Sequence, residues 1–284
     1  MPELPEVEVT RQGIAAHITG RKIESVTIRN HNLRWPIAGD LAAQLTGSTV
    51  QTVARRGKFI LIDCQRQRVH GTLLVHLGMT GTLRIVPAKT PLRSHDHVDI
   101  SFKAGPLVRF NDPRRFGAIL WHDPALDGPI ETSRHLAGLG VEPLTTQFAG
   151  DAGADLLFRA SRGKTLAVKS MLIAGSVVVG VGNIYCSEAL FRAKINPTTA
   201  AGRISRQRYA RLAIAIRETL DEAIKRGGST LRDFVGASGE PGYFQQDYFV
   251  YGRDGLPCLR CGSSIRIIRQ GQRSTFYCPS CQAR

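Results

Sequence analysis

Pro2-Glu3-Leu4-Pro5-Glu6-Val7-Glu8, behind Met1, opens the chain, and its reading governs the rest. Glu3 and Glu6 stand three residues apart and share one face of any helix that begins here. Pro5 suits a first helical turn, where a missing N–H costs nothing. If Met1 is removed, Pro2 becomes an N-terminal secondary amine. An α-amino group titrates near ~7.7–8.0 against ~10.4 for lysine, so part of it is neutral and nucleophilic at physiological pH. The positive end of the helix would favour that neutral form. Such an amine adding to a sugar carbon leaves an iminium cation, which acidifies the neighbouring C–H and permits elimination. Glu3 is the adjacent proton carrier. The octapeptide taken alone also reads as a capped helix start with an ordinary terminus.

Outward from this stretch, Val7, Ile14 and Ile18 continue the helical spacing, and Gly20 can end it. From Lys22 to about His122 the texture becomes short apolar or alternating runs: Ser25–Arg29, Phe59–Asp63, Leu73–His76, His97–Phe102, Leu107–Phe110 and Ala118–Trp121. Gly, Asn, Asp and Pro separate them, which predicts an antiparallel β-sandwich entered by the first helix. A connecting region follows from about Pro124 to Gly153. Helical patterns then predict Asp155–Arg162, Leu166–Ile173, Ile184–Ala193, Ser205–Lys225 and Leu231–Phe234. Leu212, Ile216, Leu220 and Ile224 mark the buried stripe of the longest.

The 284 residues are long for one core and suit two domains. A net charge of +15 implies an anionic polymer or surface as partner. No apolar run approaches the ~20 residues that span a bilayer, and the start lacks the pattern of a signal peptide. A cytoplasmic protein is expected, with no membrane partner.

Cys258-x2-Cys261 and Cys278-x2-Cys281, sixteen residues apart, fit a β-hairpin closing a four-thiolate zinc site. Four protein ligands leave no open position, so the ion is structural. Cys64 and Cys186 read as small buried hydrophobes. Arg266, Arg269 and Arg273 form a surface suited to phosphates, or a solvated basic face. Val179-Gly180-Val181-Gly182-Asn183-Ile184-Tyr185 can bring backbone N–H groups to a phosphate, or serve as a plain turn between helices. Lys58, in Arg55-Arg56-Gly57-Lys58, is a phosphate ligand or surface charge. Met79, within His76-Leu77-Gly78-Met79-Thr80-Gly81, belongs to no periodic apolar pattern and suggests a wedge between bases. Arg114 and Phe116, in Asn111-Asp112-Pro113-Arg114-Arg115-Phe116-Gly117, offer the same chemistry, with a core Phe beside a surface Arg as the alternative.

Together these stretches, with His95-Asp96-His97-Val98-Asp99-Ile100 and residues 242–253, resemble the formamidopyrimidine-DNA glycosylase family from Pro2 to Cys281. The related endonuclease VIII branch typically starts PEGPE and lacks the Met and Arg-x-Phe pairing. The resemblance implies an α+β fold: a β-sandwich with an N-terminal helix over 1–145, a helix-two-turn-helix domain over 146–250, and a four-cysteine zinc hairpin over 251–284. It implies a bifunctional glycosylase and AP lyase acting on oxidised purines opposite cytosine in duplex DNA, as a monomer. Pro2 would attack C1′, Glu3 would transfer protons and Glu6 would support it, with Lys58 and Arg273 also among the catalytic positions. Lys58, His76, His95, Asn183, Tyr251 and Arg273 would contact DNA. Met79, Arg114 and Phe116 would fill the gap left by the extruded nucleotide. The Leu231–Phe244 region, with its Gly-rich centre, reads as a mobile loop over the base. Two departures stand out: Cys186 where a small residue is expected, and no hairpin lysine, for which Arg266 or Arg269 is the candidate replacement. A pyrimidine-directed relative and a non-catalytic zinc-ribbon DNA-binding protein are the competing readings.

Overall fold

The computed structural model describes residues 2–103, 105–228 and 248–283. The expected Leu231–Phe234 helix and the Leu231–Phe244 loop therefore lie outside the described residues. The chain divides into two units, one built on Met1–Ala137 with residues 226–228, the other on Gly138–Lys225 and the C-terminal segment.

Helix α1 (Leu4–Ile18) sets the first unit. Its buried residues Leu4, Val7, Ile14 and Ile18 recur at helical spacing and pack on strands of both sheets. Strands β1 (Ile23–Ile28), β6 (Asp96–Phe102), β7 (Leu107–Asn111) and β5 (Thr82–Val86) form one antiparallel sheet in that order. Strands β2 (Thr49–Arg56), β3 (Phe59–Arg66), β4 (Val69–His76) and β8 (Ala118–His122) form the other. One apolar core joins them, with Ile60, Ile62, Leu73 and Val75 from one sheet and Val98, Ile100, Val108 and Phe110 from the other. This is the expected sandwich. Strands β2 and β5 add to the runs picked out by pattern: β2 is mostly polar on its open face, and β5 is short. A short helix α2 (Leu41–Leu45) sits between β1 and β2, docked by Leu41 and Leu45.

After α3 (Pro124–Asp127), the second unit holds α4 (Gly150–Ser161), α5 (Val168–Ile173), α6 (Asn183–Arg192) and α7 (Arg206–Lys225). Helix α4 starts five residues before the predicted point, because Gly153 and Ala154 are buried under its first turn. On α7 the stripe runs through Leu212, Ile216 and Leu220 and ends on Ala223, while Ile224 is only half-buried. Helix α7 packs on α4 and α6, and β9 (Arg266–Gln270) pairs with β10 (Arg273–Tyr277) as the C-terminal hairpin. No described helix is long and apolar enough to cross a membrane.

Candidate active site

The first turn of α1 is closed by a reciprocal pair. Glu3 is the N-cap, its side chain accepts the backbone N–H of Glu6, and Glu6 Oε2 accepts the Glu3 N–H at 2.8 Å. Both glutamates are buried, as is Pro2. Two carboxylates thus sit at the positive end of a helix, which is where the macrodipole favours negative charge, with Pro2 the residue before the N-cap. Gly228, in the left-handed region at φ +83°, lies against Glu6, and a Cβ there would come within 3.5 Å of it.

Glu8, one turn on, carries this frame to the β2–β3 turn. Its carboxylate takes Arg11 at 2.7 Å and Arg55 at 2.9 Å, and Arg55 Nη1 donates to the Gly57 carbonyl at 2.9 Å. Burial raises the Glu8 pKa, but hydrogen bonds from Arg11, Gln12 and Arg55 outweigh it and hold the carboxyl below its usual range. The β2–β3 turn that carries Lys58 is therefore braced against α1. Across the β3–β4 pair, Phe59 stands opposite His76, their rings 4.8 Å apart. Burial, with Lys58 and Arg34 nearby, lowers the His76 pKa to about 4, so the ring is neutral at physiological pH. Its Nδ1 accepts the Gly78 N–H at 3.0 Å, which leaves Nε2–H as the donor.

Beyond β4, the 77–81 turn presents Met79, 36% exposed, and the 112–117 turn presents Phe116, 44% exposed, with the Arg114 guanidinium 4.6 Å over its ring. Two apolar side chains left outside a well-filled core, with a cation stacked on Phe116, favour the wedge over the core reading of Phe116. His95 is exposed in the left-handed region at φ +70°. Its loop is fastened by Arg109, which binds Asp99 at 2.8 Å, Asp96 at 3.3 Å and the carbonyls of Thr90 and Pro91.

In the second unit, Asn183 is the first residue of α6, and its Nδ2 donates to the Ser274 carbonyl at 3.0 Å. Buried Lys169 reaches the same carbonyl at 3.2 Å, with Thr275 Oγ1 at 2.9 Å and Ser187 Oγ at 3.1 Å. Asn183 and the adjoining Arg273 are thereby set on one scaffold. Glu188, also on α6, accepts the backbone N–H groups of Phe249, Val250 and Tyr251 at 2.9–3.0 Å and so fixes Tyr251. Burial pushes its carboxyl pKa up, and those three N–H groups offset only part of that. Pattern reading missed Lys169 and Glu188; a charge inside an otherwise apolar helical run was the available signal. Cys64 and Cys186 are buried, as expected of small apolar residues.

The four cysteines converge, all Sγ atoms lying within 4.8 Å of one another. Cys261–Cys278 and Cys258–Cys281 stand at 3.5 and 4.0 Å, bracketing the edge of about 3.8 Å that a tetrahedron with Zn–S bonds of ~2.3 Å requires. Backbone N–H groups of Arg260 and Cys281 point at Cys258 and Cys278 sulfurs, which suits thiolates. The donor set fits one structural zinc. Arg266, Arg269 and Arg273 are exposed on the hairpin, with Arg269 opposite Ser274.

Three family models match in chain order: the formamidopyrimidine-DNA glycosylase N-terminal domain over residues 1–119, its H2TH domain over 139–235, and the zinc finger found in FPG and IleRS over 255–284. A formamidopyrimidine-DNA glycosylase of Ralstonia nicotianae is 56% identical over 99% of this chain and all of its own length, and one of Burkholderia vietnamiensis 57% with the same coverage. The Lactococcus lactis Fpg solved with abasic-site DNA is 31% identical, with a TM-score of 0.87 and full coverage of both chains. MutM (Fpg) of Thermus thermophilus is 34% identical, with a TM-score of 0.85 over 99% of this chain and 98% of its own. The chain belongs to the formamidopyrimidine-DNA glycosylase family.

Proposed function

We infer that this protein is a base-excision repair enzyme that removes oxidised purines from duplex DNA and then cuts the abasic strand. The observation that carries the mechanism is the buried Pro2–Glu3 start of α1, locked by Glu6. With Met1 removed, the Pro2 nitrogen adds to C1′ as the glycosidic C–N bond breaks, and the base leaves with a proton. Glu3 protonates the ring oxygen, the sugar opens, and a Schiff base joins Pro2 to C1′. Loss of a C2′ proton expels the 3′ phosphate, and a second elimination expels the 5′ phosphate. Glu6 holds the Glu3 backbone in place throughout.

Lys58, neutral His76 through Nε2–H, Asn183, Tyr251 and Arg273 bind phosphates and His95 also contacts DNA, which makes affinity salt-dependent and largely indifferent to sequence. Met79, Arg114 and Phe116 occupy the space of the extruded nucleotide, and Arg114 pairs with the orphaned cytosine. Zinc held by Cys258, Cys261, Cys278 and Cys281 supplies structure to the hairpin. The protein acts as a monomer in the bacterial cytoplasm, where its substrate lies.

Borohydride trapping on a duplex with 8-oxoguanine opposite cytosine tests the reading. The mature protein forms a covalent adduct, and a form retaining one extra N-terminal residue does not. No adduct from a zinc-loaded, DNA-binding preparation would overturn the lyase assignment and favour a non-catalytic binding protein.

A further inference from the structure

The geometry points to Asp112 as a positioning residue that fuses the two wedge-bearing turns into one rigid tip; this rests on the wedge reading of Met79, Arg114 and Phe116. Asp112 is completely buried, and its carboxylate joins segments 32 residues apart in sequence. Oδ1 accepts the Thr80 hydroxyl at 2.7 Å, and Oδ2 accepts the Gly117 N–H at 2.7 Å. Thr80 Oγ1 in turn accepts the Arg114 N–H at 3.3 Å. The Asp112 carbonyl takes His97 Nε2–H at 2.9 Å, and its own N–H goes to the His95 carbonyl at 3.1 Å. One side chain thus fixes the residue after Met79, the backbone of Arg114 and the residue after Phe116.

The backbones of the two turns meet directly at this pin. A Cβ on Gly78 would fall 2.4 Å from the Gly117 nitrogen, and one on Gly117 would fall 2.7 Å from the His76 carbonyl oxygen. Gly78 also has φ +65°, so neither turn can shift without the other. A wedge must enter the stack with its side chains in fixed relation, because a displacement of about an ångström costs on the order of 100-fold in rate. Asp112 touches neither phosphate nor base in this arrangement; it acts through Arg114 and Phe116.

The test compares Asp112→Ala, Asp112→Asn, Thr80→Val and, as a control on the wedge, Arg114→Ala. Single-turnover excision is measured on duplexes with 8-oxoguanine opposite cytosine and opposite adenine, and strand cleavage on a single-stranded abasic oligonucleotide that needs no wedge. D112A lowers duplex excision by about tenfold or more and weakens the cytosine-over-adenine preference, while abasic cleavage stays within about twofold. D112N, which keeps an oxygen for Gly117, recovers most of the loss, and T80V, which removes one hydroxyl, costs about threefold. Wild-type excision and preference in both D112A and T80V would overturn the proposal, as would an equal loss on the single strand. If R114A changes neither rate nor preference, the wedge reading falls and the pin with it; if R114A acts and D112A does not, the pin alone falls.

Discussion

The sandwich and the zinc hairpin hold functional groups by opposite means. In the sandwich, an apolar core shared by two four-stranded sheets supplies the stability, and isolated buried polar pins such as Glu6 aim side chains from its edge. The hairpin has two five-residue strands and a small apolar cluster around Phe276, Ile265 and Val250. Such a pair is marginal alone in water. Its geometry comes from the four cysteines, from Lys169 beneath Ser274, and from Gln282, which bonds the Ile195 carbonyl and the Cys278 N–H. On the proposed reading, the chemistry sits on the region that folds from apolar burial, and the proposed phosphate contacts sit partly on the region that folds around a metal.

Zinc removal is the largest way to break this comparison. A structural four-thiolate site contributes roughly 10–16 kcal/mol in small zinc modules, far more than the hairpin's apolar contacts can replace. Chelation should melt the hairpin, lower duplex affinity by about 100-fold and flatten its salt dependence. The thermal transition of the sandwich should persist. Calorimetry with a parallel binding titration checks both, and a single transition lost as a whole would mean that the two regions are not separately stabilised.

Glu3→Gln is the next largest effect and isolates chemistry from fold in the sandwich. Glutamine keeps an oxygen for the Glu6 N–H, so the cap survives with a stability loss below about 1 kcal/mol. The proton function is gone, and excision should fall by roughly 10²–10⁴-fold. Single-turnover rates beside urea midpoints check it. A loss of several kcal/mol with little effect on rate would make Glu3 a structural residue.

What could be read without coordinates follows the range of the interactions. The helix start, the alternating strands and the paired CxxC turns are local patterns, and each led to its element. The zinc site joins distant pairs but is announced by ligand chemistry that little else explains. The pins are different. Glu188 reaches Val250 across 62 residues and Lys169 reaches Thr275 across 106, and no spacing rule links such partners. Their only trace is a charge in an apolar helical run, which a solvated face also produces. The start of α4 was obscured for a related reason: Gly150, Gly153 and Ala154 look like connecting sequence, and it is the burial of Gly153 and Ala154 that holds this turn in the helix.

His76 gives the smallest and sharpest test, because it asks whether the sandwich presents a neutral donor or a titrating cation to DNA. Burial and the neighbouring Lys58 and Arg34 charges lower its pKa to about 4, against ~6.5 in the unfolded chain. The unfolded state therefore binds the extra proton first as the pH falls. Stability owed to His76 is unaffected above ~6.5, declines between ~6.5 and ~4 by up to about 3 kcal/mol, and is level below. His76→Gln cannot titrate, so its urea midpoint should fall less than that of the wild type between pH 7 and 4.5, other groups being common to both. A ring titration followed by NMR should have its midpoint below about 5. A midpoint near 6.5 would make His76 a phosphate ligand strengthened by acid, and binding would then rise as pH falls from 7.5 to 6 by more than in His76→Gln. The expected outcome is parallel binding curves over that range. In that case the Gly78 N–H, by holding Nδ1 as an acceptor, is what aims the Nε2–H donor of this strand end.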